Sequence, residues 1–323
     1  MSSHAIVVER TGEPEVLTWQ EVARPEPGPG EVLIRIGAAG VNFIDVYQRT
    51  GIYTVELPFT PGVEGAGRIA AVGPDVTGFA VGDRVAWSMT IGGYAEYATA
   101  PASLTVHVPD DVTDEQAAAV LLQGLTAHFL AHSVIDLEPG DTALLHAGAG
   151  GVGLLLTQFL AQRGVRVITT VSTEEKAEVS REAGAGEVIV GYRDIAERVR
   201  AFTDGDGVRV AYDGVGKDTV DASLDSLRTR GTLVLFGASS GPVDPIDPQT
   251  LSAKGSLFLT RPSLPHFIAE RTELEQRAND VFSAVADGRL RLRFDDGYTV
   301  RDAAQAHRDL ASRATIGKLV LRV

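Results

Sequence analysis

The sequence predicts an α/β protein of two domains, one compact and mostly β, the other a doubly wound parallel sheet covered by helices on both faces. Three observations carry this. The chain has 323 residues, 44% of them hydrophobic, enough for a sizeable core and, at roughly 100 to 200 residues per domain, for two domains. Its first hundred residues give short apolar runs broken by Gly and Pro. From Asp141 onward, near-continuous apolar segments alternate with helical periods, the pattern of a parallel sheet buried on both sides.

The early runs are EVLIRIGAAGV, GRIAAVG, GDRVAWS and GGYAEYATAP, whose spacing reads as strands joined by tight turns. At Thr113 the texture changes. Thr113 and Gln116, three apart before AAAVLL, form a capping box that opens a helix, and GLTAHFLAHSV reads as a second helical run. The alternating region then gives TALLHAG, GLLLTQFLAQRG, RVITTVS, TEEKAEVSREAG, EVIV, DIAERVRAFT, VRVAYDGVG, KDTVDASLDSL and TLVLFGASS in strand and helix order. After GSLFLTRPS come a long helix in ERTELEQRANDVFSAVADG, a strand in LRLRF, a helix from Arg301 and a closing strand GKLVLRV. These last elements are expected to rejoin the first domain.

Composition excludes several functions. A net charge of -14 with no Lys/Arg block repels phosphate backbones, so nucleic acid is not an expected partner. Zero cysteines exclude disulfides, thiolate nucleophiles and cysteine-ligated zinc. Only four apolar residues precede Glu9 and Arg10, and no run is long enough to span a bilayer, so a cytoplasmic protein without membrane attachment is expected. The 35 glycines are scattered without a period, which excludes a repeat architecture.

The strongest motif is HAGAGGVG, in which Gly148, Gly150 and Gly153 follow an apolar strand and precede a helix. In that context the spacing is a dinucleotide fingerprint, because glycines let the backbone approach a pyrophosphate and the helix N-terminus offers N–H groups to it. A packing turn is the rival explanation. A partner preferring NADH would carry Asp or Glu about 20 residues beyond the loop; that position holds Ser172. Glu175 reads as the second half of a capping box begun by Ser172, and Lys176 stands one helical turn away to pair with a 2′-phosphate. NADPH is therefore favoured, although a lone lysine of this kind is also an ordinary helix-surface charge.

The segments GDTALLHAGAGGVGLLLTQ, GVNFIDVYQRTGIY, PGVEGAG, FGASSG, TRPSL and SRATIGKL closely resemble the zinc-independent quinone oxidoreductases of the medium-chain dehydrogenase/reductase superfamily, the group that includes zeta-crystallin. The resemblance implies a GroES-like catalytic domain made of residues 1–123 and 263–323, a Rossmann domain over 124–262, NADPH between them, and a homodimer joined at Rossmann edge strands through GSLFLTRPS. It implies that Lys176, Tyr192 and Arg313 bind the 2′-phosphate, and that Thr126, Gly151 and Val152 lie along the pyrophosphate and ribose. Val215, Phe236, Gly237 and Ser239 are implied at the nicotinamide end, and Asn42 and Tyr47 beside the substrate. Gly191 and Ala238 depart from an Asn common in relatives at each place.

In metal-dependent members a His serves as zinc ligand where this chain has Val63, between Gly62 and Glu64. With no Cys either, the usual three-ligand zinc cannot be assembled. His128 and His132, four apart on a helix, could share a face as ligands, but Phe129 stands where a zincin has its Glu, and helix-face histidines are the plainer reading. Hydride transfer to a quinone needs no metal, because the product ring delocalises the developing charge and a hydrogen bond from Tyr47 or Asn42 suffices. For these two residues, an interfacial aromatic and a turn-former are the structural alternatives. Glu64 is expected to bond backbone in its Gly-rich turn. NADPH-dependent reduction of an α,β-unsaturated carbonyl, or NADPH binding without catalysis, are the competing functions.

Overall fold

The computed structural model describes residues 2–323. It falls into two compact bodies, Thr126–Phe267 and the chain on either side of that segment.

The first body begins with β1 (Ser2–Val7) and β2 (Thr18–Ala23), an antiparallel pair. There follow β3 (Glu31–Val41), α1 (Phe43–Thr50), β4 (Glu64–Val72), β5 (Arg84–Ser88), β6 (Tyr97–Pro101), β7 (Thr105–His107) and α2 (Asp114–His132). β3 is the organising strand. Its Val32, Ile34 and Ile36 pack with Ile69, Val85 and Trp87 in one cluster, while its Ala39 and Val41 join Ile6, Val8, Phe59 and Tyr94 in another. Fully burying such side chains contributes about 1.5 to 3 kcal/mol each. α1 stops at Gly51, whose φ of 84° suits a residue without Cβ.

The expected pair of helices after Thr113 is one continuous helix, α2. It opens on the expected box: Thr113 N donates to Gln116 Oε1 at 2.9 Å, and Gln116 N to Thr113 Oγ1 at 3.2 Å. Gly124, where the second helical run is expected to begin, lies inside the helix and admits a neighbour, since a Cβ there would lie 2.7 Å from Val281 Cγ1. α2 runs through the point where the two bodies divide.

The second body contains β8 (Thr142–His146), α3 (Gly151–Gln162), β9 (Arg166–Val171), α4 (Glu174–Glu182), β10 (Glu187–Val190), α5 (Ile195–Phe202), β11 (Val208–Asp213), α6 (Val220–Ser226), β12 (Leu227–Leu235), α7 (Pro248–Ala253) and β13 (Phe258–Thr260). All six strands are parallel, in the order β10-β9-β8-β11-β12-β13. This is the dinucleotide-fold order, with its reversal between β8 and β11. Leu144, Ile168, Ile189, Ala211 and Leu233, one from each of five strands, share one fully buried cluster. β13 is an edge strand of three residues, and its Phe258 and Leu259 are 59% and 39% exposed.

The chain then returns to the first body through α8 (Arg271–Ala286), β14 (Phe294–Thr299), α9 (Ala303–Ala311) and β15 (Lys318–Arg322). β15 pairs antiparallel with β3, completing a seven-stranded sheet ordered β14-β15-β3-β4-β5-β7, with β6 also on β3. The strand expected in LRLRF starts only at Phe294. Leu290 is buried because its N–H returns to Ala284 O at 2.7 Å, so this alternation closes a helix.

Candidate functional site

The crevice outside the carboxyl ends of the strands, at the reversal of strand order, is where an open α/β sheet binds ligands. Residues 147–153 leave β8 there. Ala147 turns with a φ of 55°, Gly150 N donates back to Ala147 O at 2.9 Å, and α3 starts at Gly151. A Cβ on Gly148 would sit 2.5 Å from Thr169 Cβ, and one on Gly153 would sit 2.3 Å from Ala147 O. These two glycines are required by the fold itself. At Gly150 a Cβ would lie 3.2 Å from Ala147 O, tighter than ordinary contact, so a side chain there would crowd the turn. The loop therefore offers what a pyrophosphate needs: the N–H groups of a helix start and a left-handed turn whose glycines carry no side chain.

At the ends of the neighbouring strands, Ser172 follows β9 and is exposed. It is not the cap of α4, as its spacing from Glu175 suggests. That role belongs to Thr173, whose hydroxyl accepts from Lys176 N at 3.3 Å. Because the cap lies one residue later, Ser172 stays outside the helix. Gly191, with a φ of 85°, donates its N–H to Val171 O at 2.9 Å, tying the turn that carries Tyr192 to the end of β9. Ser172, Lys176 and Tyr192 thus belong to one edge of the sheet. Burial lowers the Lys176 pKa, a penalty that an anion beside the ammonium would offset. Arg313 lies in the other body, after α9, with a left-handed φ of 58°.

On the other side of the reversal, β11 ends in Asp213. This fully buried carboxylate accepts from Val215 N at 2.9 Å, Gly216 N at 2.8 Å, Thr219 Oγ1 at 2.8 Å and Ser223 Oγ at 2.8 Å. The loop after β12 locks onto the same turn. Phe236 N donates to Asp213 O, Ser239 N to Gly214 O and Ser240 N to Val215 O, and a Cβ on Gly237 would strike Gly214 O at 2.5 Å. Beneath them the buried His146 joins Thr170 Oγ1 through Nδ1 and Ser223 Oγ through Nε2, both at 2.9 Å. Since Ser223 gives its proton to Asp213, Nε2 is the protonated nitrogen; burial lowers this imidazole's pKa. Val215, Phe236, Gly237 and Ser239 are therefore held by groups, Asp213 and His146 above all, that sequence reasoning missed. The Asp before Gly in YDGVG is the available signal.

Asn42 and Tyr47 lie in the first body. Asn42 precedes α1 and is 5% exposed. Its Nδ2 donates to Gly40 O at 3.3 Å and Glu64 Oε2 at 3.0 Å, and its Oδ1 accepts from Lys318 Nζ at 2.7 Å. Both amide hydrogens are thus directed into the protein. Lys318 Nζ also donates to Glu64 Oε2 at 2.6 Å, and Glu64 Oε1 accepts from Leu122 N at 2.6 Å. Glu64 does bond backbone, but on α2 rather than in its own turn.

Next to it, Asp45 accepts from Asn42 N at 2.8 Å, Val63 N at 3.1 Å and Tyr94 Oη at 3.1 Å. Tyr94 Oη in turn meets His307 Nε2 at 3.1 Å. Burial raises the Asp45 pKa to about 6 against the opposing hydrogen bonds, and lowers that of His307 to about 3. Tyr47, half-buried on α1, stacks edge-on with Tyr53 at 5.2 Å and tilts toward Phe43 at 6.2 Å. Val63, at the ligand slot, is 2% exposed. In the second body His128 and His132 lie 4.6 Å apart and both meet the edge of Phe159, a packing cluster. Thr126 opens that body within α2. Among the described residues no three His, Cys, Asp or Glu side chains gather into a metal-holding group, and no helix is long and apolar enough to cross a membrane.

Comparison with known proteins agrees with this architecture. Residues 28–110 match the alcohol dehydrogenase GroES-like domain, and residues 151–275 the zinc-binding dehydrogenase domain. A quinone oxidoreductase of Pseudomonas aeruginosa is 44% identical, with 96% of each chain covered. A 2-haloacrylate reductase of a Burkholderia species is 41% identical, with 98% of each covered. The structure of a mycobacterial protein complexed with NADPH superposes with a TM-score of 0.95 at 53% identity, covering 99% of this chain and 100% of that one. Full-length likeness to proteins of this kind, carried by a GroES-like domain and a Rossmann domain, shows that the chain belongs to the quinone oxidoreductase family of the medium-chain dehydrogenase/reductase superfamily.

Proposed function

We propose that the protein is an NADPH-dependent quinone oxidoreductase that works without a metal. The observation that carries the cofactor reading is the pairing of a glycine loop at a helix start with a second-strand end that has Ser172 in place of a carboxylate. When NADPH is bound, it supplies the hydride. The loop from Gly148 to Gly153, with Gly151 and Val152 at the start of α3, holds the pyrophosphate; Lys176, Tyr192 and Arg313 pair with the 2′-phosphate, and Thr126 supports the ribose side. Val215, Phe236, Gly237 and Ser239, kept rigid by Asp213, orient the nicotinamide end.

The quinone is met by Tyr47 and Asn42. Asn42, whose amide hydrogens go to Gly40 O and Glu64 Oε2, lines the pocket, and Tyr47 is assigned as donor to the developing oxyanion. A hydrogen bond there, held in place before the reaction, is the stabilisation a quinone needs. Val63 in the ligand slot supports a metal-free reaction. Titration of the enzyme with NADPH and NADH beside turnover of 1,4-benzoquinone tests this reading, which fails if NADH is preferred or if quinone is inert.

Reduction of an activated conjugated carbonyl is the second reading, favoured by the 41% identity to a 2-haloacrylate reductase; a comparison of 2-cyclohexenone with 1,4-benzoquinone separates the two. The exposed apolar edge strand β13 supports a homodimer in which this strand pairs with its copy. A cytoplasmic location is proposed with it.

A further inference from the structure

Lys318 and Glu64 form an ion pair with side chains only 2% and 0% exposed. Such a pair is a weak source of stability, because desolvation of both charges offsets their attraction, and apolar side chains of similar volume serve a core as well or better. The surroundings show what the pair does instead. Lys318 Nζ reaches Asn42 Oδ1 at 2.7 Å, and Glu64 Oε2 takes an Asn42 amide hydrogen at 3.0 Å. An ammonium has only donors and a carboxylate only acceptors, so the two charges permit a single orientation of the Asn42 amide and forbid the flipped one. Gly40 belongs to the same device. A Cβ at that position would lie 2.4 Å from Glu64 Oε2 and 2.8 Å from Lys318 Cε, so glycine alone leaves room for the pair against β3.

Asn42 is the residue from which α1 starts, and its N–H is held by Asp45 in the first turn of that helix. The same helix carries Tyr47. Fixing Asn42 therefore fixes the entry of α1 and the direction of the phenol. We infer that Lys318, acting with Glu64, is a positioning residue for quinone reduction: its ammonium orients the Asn42 amide and thereby anchors the helix start that sets Tyr47. This rests on the reading of Asn42 and Tyr47 as the residues that meet the quinone.

The test uses full-length enzyme and compares Lys318→Met, the double variant Glu64→Gln/Lys318→Met, Asn42→Ala and Tyr47→Phe, with NADPH and 1,4-benzoquinone. The double variant is included because Lys318→Met alone leaves a buried unpaired carboxylate and can fail to fold. The account expects the folded double variant to lose about 10- to 100-fold in kcat, the usual consequence of a misplaced reacting geometry, with NADPH affinity unchanged. A purely structural pair predicts a lower melting temperature but a kcat per folded site equal to wild type. That result, seen together with impaired Asn42→Ala or Tyr47→Phe, overturns the positioning role alone. Wild-type kcat in both Asn42→Ala and Tyr47→Phe overturns the underlying site assignment, and this inference with it.

Discussion

The buried carboxyl of Asp45 makes the stability of the first body depend on pH in an unusual direction. Its pKa is raised from 3.8 to about 6, chiefly by desolvation, against hydrogen bonds from Asn42, Tyr94 and Val63 and the nearby charge of Lys318. A carboxyl whose folded pKa is raised favours the fold in its protonated form. The contribution is therefore complete below the unfolded value and is lost as pH rises through the folded one. At 1.36 kcal/mol per pKa unit the total is about 3 kcal/mol, of which about 1 kcal/mol is lost between about pH 5 and about pH 8. Asp45→Asn removes this titration.

The amide also turns hydrogens toward one of the N–H groups of Asn42 or Val63, at a pH-independent cost of about 1 to 3 kcal/mol. Urea unfolding of both proteins, followed by the fluorescence of the buried Trp87, measures the outcome. The advantage of wild type over Asp45→Asn should be about 1 kcal/mol larger at about pH 5 than at about pH 8. Groups that do not interact with Asp45 titrate alike in both proteins and cancel, and Tyr94, whose pKa burial and the Asp45 charge raise, titrates above this window. A difference independent of pH, or one that grows toward alkaline pH, would refute the claim that burial dominates the Asp45 environment.

Other expectations follow from the same geometry. Lys176→Ala should reduce the preference for NADPH over NADH by about 10- to 100-fold, the worth of a hydrogen bond to a charged group, with NADH affinity held; fluorescence titration of both nucleotides checks this. Gly153→Ala places a methyl against Ala147 O and should cost about 1 to 3 kcal/mol of stability along with nucleotide binding, measured by thermal unfolding with and without NADPH. Replacing Phe258 with Asp on the exposed edge strand should yield monomers with intact kcat in sedimentation and steady-state assays.

What could be read in the sequence was local. The glycine loop, its flanking strand and helix, and the Thr113–Gln116 box each lie within a few residues and depend on backbone geometry that particular side chains impose. Small errors arose where neighbours compete: Ser172 and Thr173 are both able caps, and only the end of β9 decides between them. The two helical runs after Thr113 read as separate at Gly124, whose packing partner, Val281, is remote in sequence. The polar cores were hidden for the same reason. Lys318 meets Glu64 across 254 positions and Asn42 across 276, and Tyr94 meets His307 across 213. No spacing rule reaches that far. Asp213 was overlooked because its partners are the backbone and hydroxyls of its own turn and of the helix that follows.

The most direct test of the central claim is oxidation of NADPH by 1,4-benzoquinone in metal-free buffer with excess EDTA, beside the same reaction with NADH. The account predicts rapid turnover that is selective for NADPH and indifferent to the chelator. Activity abolished by EDTA and restored by zinc, or NADPH binding with no quinone turnover, would contradict it.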